Sequence, residues 1–581
     1  MEETLYNIRH SLAHLLAIAA LEHDSKAKLS VGPVTENGFY YDIDFSEGKA
    51  PTPEDLKAFE KTMRKMINKK LLFARQEVSP EEARQHFAGN PYKMAIIDDI
   101  EQAGTPVSLY ATGDFIDLCE GRHVDNTSEI DAKCFTLTHL AGAYWRGDEK
   151  NPMLTRVYGL AFATAEELKA YLTQQEEAKK RDHRRIAKEQ DLLVFSDLVG
   201  SGMPMFTPKG NIIRNAIIGF SRELNNTLGF EEVHTPNINK AELFRISGHY
   251  DKYKEDMLVV RSQYSEEDFF LKPMNCPQHT QIYAARPRSY RDLPIRYSDF
   301  ANLYRDERPG ELSGLTRLRS FAQDDGHVFC MESQIEGEMT SILTAIETAL
   351  TTYKIDYWMR LSLRDPEKKE KYLGDDDVWE RSQAIMRKLL QEKNITHKEA
   401  EGEAAFYGPK IDIMAVDALG REWQISTVQL DFNQPKRFGL VYTDSDGTEK
   451  TPVMIHRALI GSPDRFMGIL IEHYAGAFPV WLAPIQAVVL PIGENHQAFA
   501  KEITDALKEK NIRVELDLDN ESLGKRVRNA KIQKIPYLLI IGDKEVAAKN
   551  ITLEHRSAGS LGTQTLAECI DIFAQAITSK S

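Results

Sequence analysis

The sequence predicts a multidomain α+β protein. Its 581 residues exceed what one hydrophobic core accommodates, so we expect roughly three or four domains. Alternating apolar and polar residues at 300–304, a loop with glycine and proline, and a second strand pattern at 318–330 predict a long antiparallel hairpin. From about Trp481 onward, strand and helix patterns alternate, which predicts a smaller α/β domain with a largely parallel sheet.

Composition and charge exclude several classes of protein. A chain with 42% hydrophobic and 28% charged residues is typical of folded globular proteins, not of disordered ones. No apolar run approaches a membrane span and the N-terminus lacks a signal peptide, so we predict a cytoplasmic protein with no membrane partner. Five cysteines favour reduced thiols over a disulfide framework. A net charge of −15 argues against unspecific nucleic-acid binding, so any RNA contact must be local.

Residues 1–163 contain two pairs of metal-ligand residue types. His10 and His14 are four residues apart on one face of a predicted amphipathic helix, and Cys119 and His123 form the second pair. By residue type alone these four side chains fit tetrahedral zinc. A metalloprotease is disfavoured because HSLAH lacks the glutamate that follows the first histidine in zincins. Core histidines satisfied by their neighbours remain the alternative.

Capping patterns predict three helix starts. Thr52-Pro53-x-Asp55 and Ser79-Pro80-x-Glu82 each place a capping hydroxyl, then proline, then an acid at the third helical position. Thr164-x-x-Glu167 begins a highly charged helix that we expect to run to about Gln190, so residues 164–190 are predicted to form a helical linker. Its basic cluster KKRDHRR fits either an RNA contact or a solvated helix face, and we favour the solvated face.

The predicted hairpin concentrates positive charge in an acidic protein. Arg305, Arg308, Arg317 and Arg319 lie on it or beside it. A guanidinium group matches phosphate oxygens and stays charged, so these residues indicate a polyphosphate or phosphodiester ligand. A solvated hairpin laced with salt bridges is the alternative, and the arginines alone do not decide between the two.

Three ordered motifs resemble those of the class II aminoacyl-tRNA synthetases. RDE at 305–307, the loop, and RLRSFAQ at 317–323 resemble motif 2, and QDDGHVFC at 323–330 is similar to its version in threonyl-tRNA synthetases. GFEEVHTP at 229–236 resembles motif 1, a dimer element, and GSPDR at 461–465 resembles motif 3. The resemblance implies a homodimer whose catalytic domain, residues 191–481, is built on a mixed antiparallel sheet.

The resemblance also implies an activity, that of a threonine–tRNA ligase, with ATP, L-threonine and tRNA(Thr) as substrates. Arg305 would bind the α-phosphate of ATP and neutralise the charge that develops as the amino-acid carboxylate attacks. Magnesium is expected with ATP. Further ATP contacts are implied for Arg317 and Arg465 at the terminal phosphates, Glu307 at the adenine amino group, Phe321 and Arg465 on the adenine faces, and Gln323 and Gln424. Residues implied around threonine, the adenylate or the tRNA end are Asp325, Tyr407, Lys410, Gln429 and Ser462.

One zinc ion per subunit is implied at Cys276, His327 and His456. A thiolate and two imidazoles leave a fourth position open, which suits substrate binding. His327 and Cys330 point to opposite faces of a strand, so Cys330 is expected in the core. Zinc that accepts the amino group and hydroxyl of threonine would reject valine. Serine lacks only a methyl group, worth about 1–3 kcal/mol, so a hydrolytic second sieve is needed.

That second sieve is implied in residues 1–163, which resemble the editing domain shared by threonyl- and alanyl-tRNA synthetases. In the threonyl branch the pocket is a metal-free hydrolase of seryl-tRNA(Thr). His10 and Lys93 would position or activate the attacking water. The pocket itself would be shaped by His14, Asp117, Cys119 and His123. The chain departs from the family at Glu120, where a basic residue is common, and at Arg122, where proline is common.

Residues 482–581 resemble the anticodon-binding domain of the same subgroup. Glu545 in GDKEV matches the family and Arg556 is retained, so anticodon contacts are implied for these two residues. Glu554 stands where arginine is usual. Family members often carry a further domain of roughly sixty residues before the editing domain, whereas here the histidine motif starts at residue 10. We expect this shorter form to aminoacylate.

Two other functions remain open from the sequence. A non-catalytic, RNA-binding paralogue of a synthetase would keep the fold, and it is disfavoured by the intact Arg305, Arg465 and zinc-ligand positions. A metallohydrolase centred on His10 predicts metal bound by residues 1–163 alone. Measuring zinc content together with ATP turnover separates these alternatives from a ligase.

Overall fold

The computed structural model of the protein describes residues 2–581. The chain divides after Glu176 into two compact units. None of the helices within residues 2–581 is both long enough and apolar enough to cross a bilayer.

In the first unit, two of the helices pack on an antiparallel sheet. Its helices are α1 (Glu2–His23), α2 (Leu56–Asn68), α3 (Pro80–His86) and α4 (Pro91–Ala103), and its strands are β1 (Lys28–Leu29), β2 (Val34–Thr35), β3 (Gly38–Asp44), β4 (Phe73–Val78), β5 (Val107–Thr112), β6 (Phe115–Leu118), β7 (Phe135–Tyr144) and β8 (Met153–Ala161). The larger sheet has the order β1-β3-β8-β7 with β2 on β3, and β4-β5-β6 form a second sheet. Leu12 and Leu16 of α1 are fully buried against Phe39 of β3, because they recur at helical spacing on one face.

One of the two predicted helix starts in this unit is wrong. α3 begins as predicted, with Ser79 and Glu82 forming a capping box. α2 begins at Leu56, because Thr52 donates both its N–H and its hydroxyl to the Asp55 carboxylate, at 2.8 and 2.9 Å. Those bonds stabilise a turn before the helix instead of a cap at its first residue.

The predicted linker helix is two helices. Thr164 caps the first as expected, accepting the Glu167 N–H at 3.1 Å, and α5 spans Ala165–Arg181. Asp182 then leaves the helical conformation, with ψ 116°, and its carboxylate caps α6 (His183–Glu189). The expectation of one helix to Gln190 is therefore wrong, because an aspartate that accepts a following N–H favours a new helix start over continuation.

An eight-stranded mixed sheet carries the second unit, with the order β11-β15-β16-β23-β20-β19-β17-β18. The strands up to the last of this sheet are β9 (Leu193–Val194), β10 (Met205–Phe206), β11 (Glu231–Glu232), β12 (Ile238–Lys240), β13 (Val259–Val260), β14 (Phe269–Leu271), β15 (Ile295–Tyr304), β16 (Ser320–Cys330), β17 (Asp356–Leu363), β18 (His397–Glu401), β19 (Lys410–Val416), β20 (Glu422–Asp431), β21 (Tyr442–Thr443), β22 (Glu449–Lys450) and β23 (Val453–Ala458). β15 and β16 form the predicted antiparallel hairpin. The expected mixed antiparallel sheet is thereby confirmed.

Helices cover the face of this sheet that holds the largest core. The helices of this part are α7 (Pro208–Thr227), α8 (Ala241–Ser247), α9 (His249–Tyr253), α10 (Cys276–Ala284), α11 (Ile335–Tyr353), α12 (Asp376–Glu392), α13 (Asn433–Arg437) and α14 (Pro463–His473). Val328, Val428 and Ile455 from three neighbouring strands are fully buried in this core. Cys330 is buried with them, as predicted.

The C-terminal part is an α/β sheet of order β25-β24-β26-β27-β28. Its elements are β24 (Ala487–Pro491), α15 (Gln497–Glu509), β25 (Val514–Leu516), α16 (Leu523–Ile532), β26 (Tyr537–Ile541), α17 (Asp543–Ala548), β27 (Ile551–His555), β28 (Gly559–Gln564) and α18 (Leu566–Thr578). β24, β25 and β26 are parallel, as expected. β27 and β28 are antiparallel, since the short turn between them cannot make a parallel crossover.

Candidate active site and editing pocket

One face of the eight-stranded sheet presents a row of polar side chains to a cavity. His327 pairs in register with His456, His456 with Gln429, and Gln429 with Lys410, across four strands. Residues in register on adjacent strands share a face, so all four side chains point the same way. The cavity above them measures about 610 Å³, a size suited to a small-molecule ligand.

This cavity collects the residues that the sequence predicted from distant segments. Its lining includes Cys276, Arg305, Glu307, Arg317, Phe321, Gln323, Asp325, His327, Tyr407, Lys410, Gln424, Gln429, His456, Ser462 and Arg465. Arg308 and Arg319 belong to the same hairpin but do not line it. Arg319 instead donates to the backbone carbonyl of Glu307, at 2.8 and 3.0 Å.

Two guanidinium groups at the cavity lack an acidic partner. Arg305 stacks over the Phe321 ring at 5.3 Å, and within residues 2–581 it forms no salt bridge. Burial lowers the pKa of Arg465, whose Nε atom has no hydrogen-bond partner among the residues described. A partly buried cation without a counter-ion is costly, so both groups favour an anionic ligand.

Arg317 and Glu307 are instead paired with each other. Arg317 Nε lies 2.8 Å from the Glu307 carboxylate, and a second guanidinium nitrogen lies 3.0 Å from Glu311. Arg317 is half exposed, so the pair is weak. A phosphate bound by Arg317 would replace Glu307 as the partner of the guanidinium group. An adenine amino group bound by Glu307 would replace Arg317 as the partner of the carboxylate.

A compact Cys/His/His cluster lies at the inner end of the cavity. One potential ligand atom from each of Cys276, His327 and His456 lies within 4.8 Å of the others, and all three residues are buried. His327 Nε2 and His456 Nδ1 are 3.0 Å apart. Burial raises the pKa of the Cys276 thiol and lowers that of His327, so a bound cation would offset the cost of the thiolate.

The surroundings of the cluster fit a metal. Asp431 Oδ2 lies 2.9 Å from His456 Nε2, which leaves Nδ1 of that ring facing His327. His279 Nδ1 lies 2.8 Å from His327 Nδ1 on the side away from the cluster. Outer hydrogen bonds of this kind orient imidazole ligands, and a sulfur with two nitrogens is a donor set that zinc prefers. The three residues therefore fit a zinc ion with an open side toward the cavity.

Two further histidines at the cluster were not predicted from the sequence. His279 follows Cys276 by three residues on α10, a spacing that places both on one helical face and that the sequence did show. His249 Nε2 lies 3.7 Å from Cys276 Sγ, and its Nδ1 bonds Ser247 Oγ at 2.8 Å. No local pattern connects residues 249 and 276, so only the fold brings them together.

Asp325 is the buried acid of the cavity. Burial, together with the neighbouring Asp299 and Asp324 carboxylates, raises the pKa of Asp325 to about 7, although Arg457 opposes the shift. Its carboxylate lies 3.8 Å from His327 Nε2. A carboxylate perturbed in this way inside a cavity is typical of a ligand-binding site.

The first unit holds the second predicted cluster. Cys119 Sγ lies 3.3 Å from His10 Nε2 and 3.4 Å from His123 Nε2, and His14 lies with them within 4.8 Å. A Cβ at Gly121 would sit 2.0 Å from His10 Cε1, so glycine is needed there to admit the ring. The four residues are brought together as predicted.

Electrostatics keep this cluster uncharged next to a buried ion pair. Burial lowers the pKa of His10 and raises that of Cys119 to about 12, so a neutral imidazole faces a neutral thiol. Lys93 Nζ lies 2.5 Å from Asp117 Oδ1, and the Tyr41 hydroxyl donates to the other carboxylate oxygen. Tyr41 was missed because its strand pattern marks it only as a core residue. A neutral base beside a fixed ammonium group can activate water toward an ester.

The two predicted anticodon residues have intramolecular bonds. Glu545 accepts the Gly542 N–H at 2.9 Å and the Thr552 hydroxyl at 2.8 Å. Arg556 donates to the carbonyls of Lys534, at 2.7 Å, and Ala477, at 2.6 Å. Their role at an anticodon stays a prediction.

Comparison with known proteins identifies relatives for each part. The family model described as tRNA synthetase class II core domain (G, H, P, S and T) matches residues 253–474, the anticodon binding domain model matches 486–576, and the threonyl and alanyl tRNA synthetase second additional domain model matches 107–158. The threonine–tRNA ligase of Rubrobacter xylanophilus is 48% identical over 564 residues, 97% of this chain and 87% of that protein. The threonine–tRNA ligase of Thermus thermophilus is 46% identical over 588 residues, 98% of this chain and 88% of that protein.

A solved structure has a similar fold over part of the chain. The crystal structure of the RNA binding domain of threonyl-tRNA synthetase from Cryptosporidium parvum superposes with a TM-score of 0.65. Its sequence is 36% identical, and the match covers 68% of this chain and 98% of that one.

Proposed function

The chain belongs to the threonyl-tRNA synthetases and is a threonine–tRNA ligase with the threonyl/alanyl type of editing domain, and from this premise we propose how its residues divide the work. The observation that carries the proposal is the single cavity in which Arg305, Arg465 and the Cys276/His327/His456 cluster meet. Two uncompensated cations at one end suit a triphosphate, and three metal-type donors at the other suit an amino acid.

In the activation step, the carboxylate of threonine attacks the α-phosphate of ATP and pyrophosphate leaves. Arg305 lies at the α-phosphate and balances the charge that develops there, while Arg465 and Arg317 hold the leaving pyrophosphate. Glu307, Phe321, Gln323 and Gln424 orient the adenosine. Magnesium accompanies ATP. Positioning and charge balance carry this reaction without a covalent enzyme intermediate.

Selection of threonine is assigned to the inner end of the cavity. Zinc held by Cys276, His327 and His456 supplies, when bound, a Lewis-acid contact for the amino group and hydroxyl of threonine. Asp325 offers a carboxylate to the ammonium group of the substrate. The remaining contacts to threonine, the adenylate and the tRNA end are assigned to Tyr407, Lys410, Gln429 and Ser462.

Editing is assigned to the cluster in the first unit. His10 takes a proton from a water molecule as that water attacks the ester carbon of seryl-tRNA(Thr), and it returns the proton to the ribose oxygen as the ester bond breaks and serine leaves. Lys93, held by Asp117, orients the ester carbonyl. His14, Cys119 and His123 shape the pocket around the seryl group.

Partners and domain limits complete the proposal. The divisions are 1–163 for editing, 164–190 for the linker, 191–481 for catalysis and 482–581 for the anticodon of tRNA(Thr), with Glu545 and Arg556 at that interface. A homodimer is favoured by the apolar side chains of Val194, Leu198 and Val199, which are exposed in the segment that precedes α7. Five unpaired cysteines agree with a cytoplasmic location.

Pyrophosphate exchange with a panel of amino acids tests the proposal. Threonine should drive ATP–pyrophosphate exchange, valine should not, and serine should do so weakly. A response to another amino acid together with none to threonine would refute it. A non-catalytic paralogue would bind tRNA(Thr) without any exchange.

A further inference from the structure

A histidine from the linker is buried between two elements of the synthetic site. His183 is the first residue of α6, and its side chain is 5% exposed. Its Nδ1–H and its backbone N–H both donate to Glu472 Oε1, at 2.6 and 3.1 Å. Its Nε2 accepts the Leu315 N–H at 2.9 Å. The linker therefore contributes a core residue, not only a solvated face.

The two partners of His183 belong to the segments that carry the phosphate-binding arginines. Leu315 lies in the loop of the β15–β16 hairpin, two residues before Arg317. Glu472 lies in the last turn of α14, and Arg465 lies in the first turn of the same helix. Leu315 and both arginines line the cavity. One imidazole thus joins the loop of Arg317 to the helix of Arg465.

Glycines in both segments make room, one for the His183 ring and the other for Leu315. A Cβ at Gly314, whose φ is +48°, would sit 2.1 Å from His183 Nε2. A Cβ at Gly468 would sit 3.0 Å from Leu315 Cβ. Neither contact tolerates a larger side chain without displacing the loop.

His183 forms a hydrogen-bonded strut, although Asp182, His183 and Glu472 have metal-compatible spacing. Its Nδ1 carries the proton that Glu472 accepts, and its Nε2 lone pair accepts the Leu315 amide, so no ring nitrogen remains for a metal. The Asp182 carboxylate is occupied by Arg184, at 2.6 Å. The second Glu472 oxygen accepts from Arg421.

The loop has few other backbone anchors. The N–H groups of Ser313, Thr316 and Arg317 bond carbonyls within the loop itself. Within residues 309–318 the Leu315 N–H is the one that bonds outside the loop, and the Leu315 side chain packs into the core beneath. The two ends of the loop are held by the Asp306 N–H on the Asp256 carbonyl and the Arg319 N–H on the Gly202 carbonyl, each at 2.9 Å. Loss of the His183 bond would therefore release the backbone that positions Arg317.

We propose that His183 is a positioning residue for ATP, one that fixes the hairpin loop against α14 so that Arg317 and Arg465 grip the same triphosphate. The inference rests on the proposed function of this cavity. It assigns to the linker an indirect part in nucleotide binding, through the loop of Arg317 and the helix of Arg465.

Steady-state kinetics of ATP–pyrophosphate exchange, measured on the full-length, zinc-loaded protein, test the proposal. His183→Leu keeps the bulk of the ring but removes both ring hydrogen bonds, and it should raise the KM for ATP about tenfold while the KM for threonine changes less than about twofold. His183→Gln retains a donor and an acceptor and should recover most of the loss. Gly314→Ala, which keeps His183 but displaces the loop, should reproduce the ATP-specific defect.

The matched control is His496→Leu. His496 also bridges a backbone amide and a carboxylate, accepting the Gly493 N–H at 2.9 Å and lying 3.0 Å from Asp543, but in the C-terminal domain. This variant should leave both KM values unchanged.

Amide hydrogen exchange supplies a second measurement that does not depend on catalysis. Without nucleotide, peptides covering 309–318 should exchange faster in His183→Leu than in the unmodified protein, while peptides from the C-terminal domain do not. Unchanged KM for ATP and unchanged loop exchange would overturn the strut, as would equal rises in both KM values. If the unmodified protein shows no threonine-dependent ATP–pyrophosphate exchange, the proposed function is refuted instead, and the hydrogen-exchange measurement on the loop remains valid.

Discussion

Replacing Asp431 by asparagine should weaken zinc binding by about 10- to 100-fold, because Asp431 accepts four hydrogen bonds. Its Oδ1 accepts the N–H groups of Asn433 and Gln434, at 2.7 and 3.0 Å. Its Oδ2 faces His456 Nε2 at 2.9 Å and Gln434 Nε2 at 3.0 Å. An asparagine keeps one oxygen, so its NH₂ group must face two donors in either orientation.

The less costly orientation sets the expected effect. If the NH₂ group replaced Oδ1, two buried backbone donors would be unsatisfied, at roughly 1–3 kcal/mol each. If it replaces Oδ2, the Gln434 amide can turn its unpartnered Oε1 toward it. His456 then accepts at Nε2 and carries its proton on Nδ1, the atom that faces the cluster. A protonated nitrogen cannot bind zinc, so affinity falls by about 1.4–2.7 kcal/mol, the usual cost of an outer-shell mutation.

Chelator competition measures the zinc affinity, and Asp417→Asn is the control. Asp417 also accepts two backbone N–H groups, from Leu419 and Arg421, and two side-chain donors, from Arg421 and Trp423. Its replacement creates the same kind of defect away from the cluster. A zinc affinity within twofold of the unmodified protein, or an equal loss in Asp417→Asn, would refute the role of Asp431.

Cys276→Ala should reduce zinc from about one ion per chain to nearly none and abolish threonine-dependent pyrophosphate exchange. Cys330→Ala should keep the metal. Elemental analysis measures the zinc content, and equal zinc in the two variants would contradict the assignment of Cys276 as a ligand. Arg305→Ala should lower kcat for exchange by about 10²–10³-fold, and an unchanged kcat would remove it from the α-phosphate. His10→Ala should slow deacylation of seryl-tRNA(Thr). Because burial lowers the pKa of His10 below its ordinary 6.5, the neutral base persists and the unmodified rate should fall only below pH 6.5; a fall that begins above it counts against His10 as the base.

Local patterns in the sequence were sufficient for many elements of the fold. The β15–β16 hairpin follows from alternation and a turn, and the α3 start follows from Ser79 and Glu82, because these interactions span only a few residues. The same reasoning failed at Thr52 and at Asp182, where a side chain bonded its neighbours in a turn or capped a second helix. In both places a local hydrogen bond competed with the helix, and composition does not show which prevails.

Candidate site residues were identified from the sequence by type and by family resemblance, but their neighbours were not. Cys276, His327 and His456 were named in advance, whereas Asp431 and His183 were not. The sequence itself shows which residues have the side chains of a metal ligand or of a phosphate-binding arginine. Which carboxylate lies behind a ligand, and which imidazole holds a loop, depends on strand register and helix packing between segments far apart in sequence, and only the tertiary structure decides these contacts.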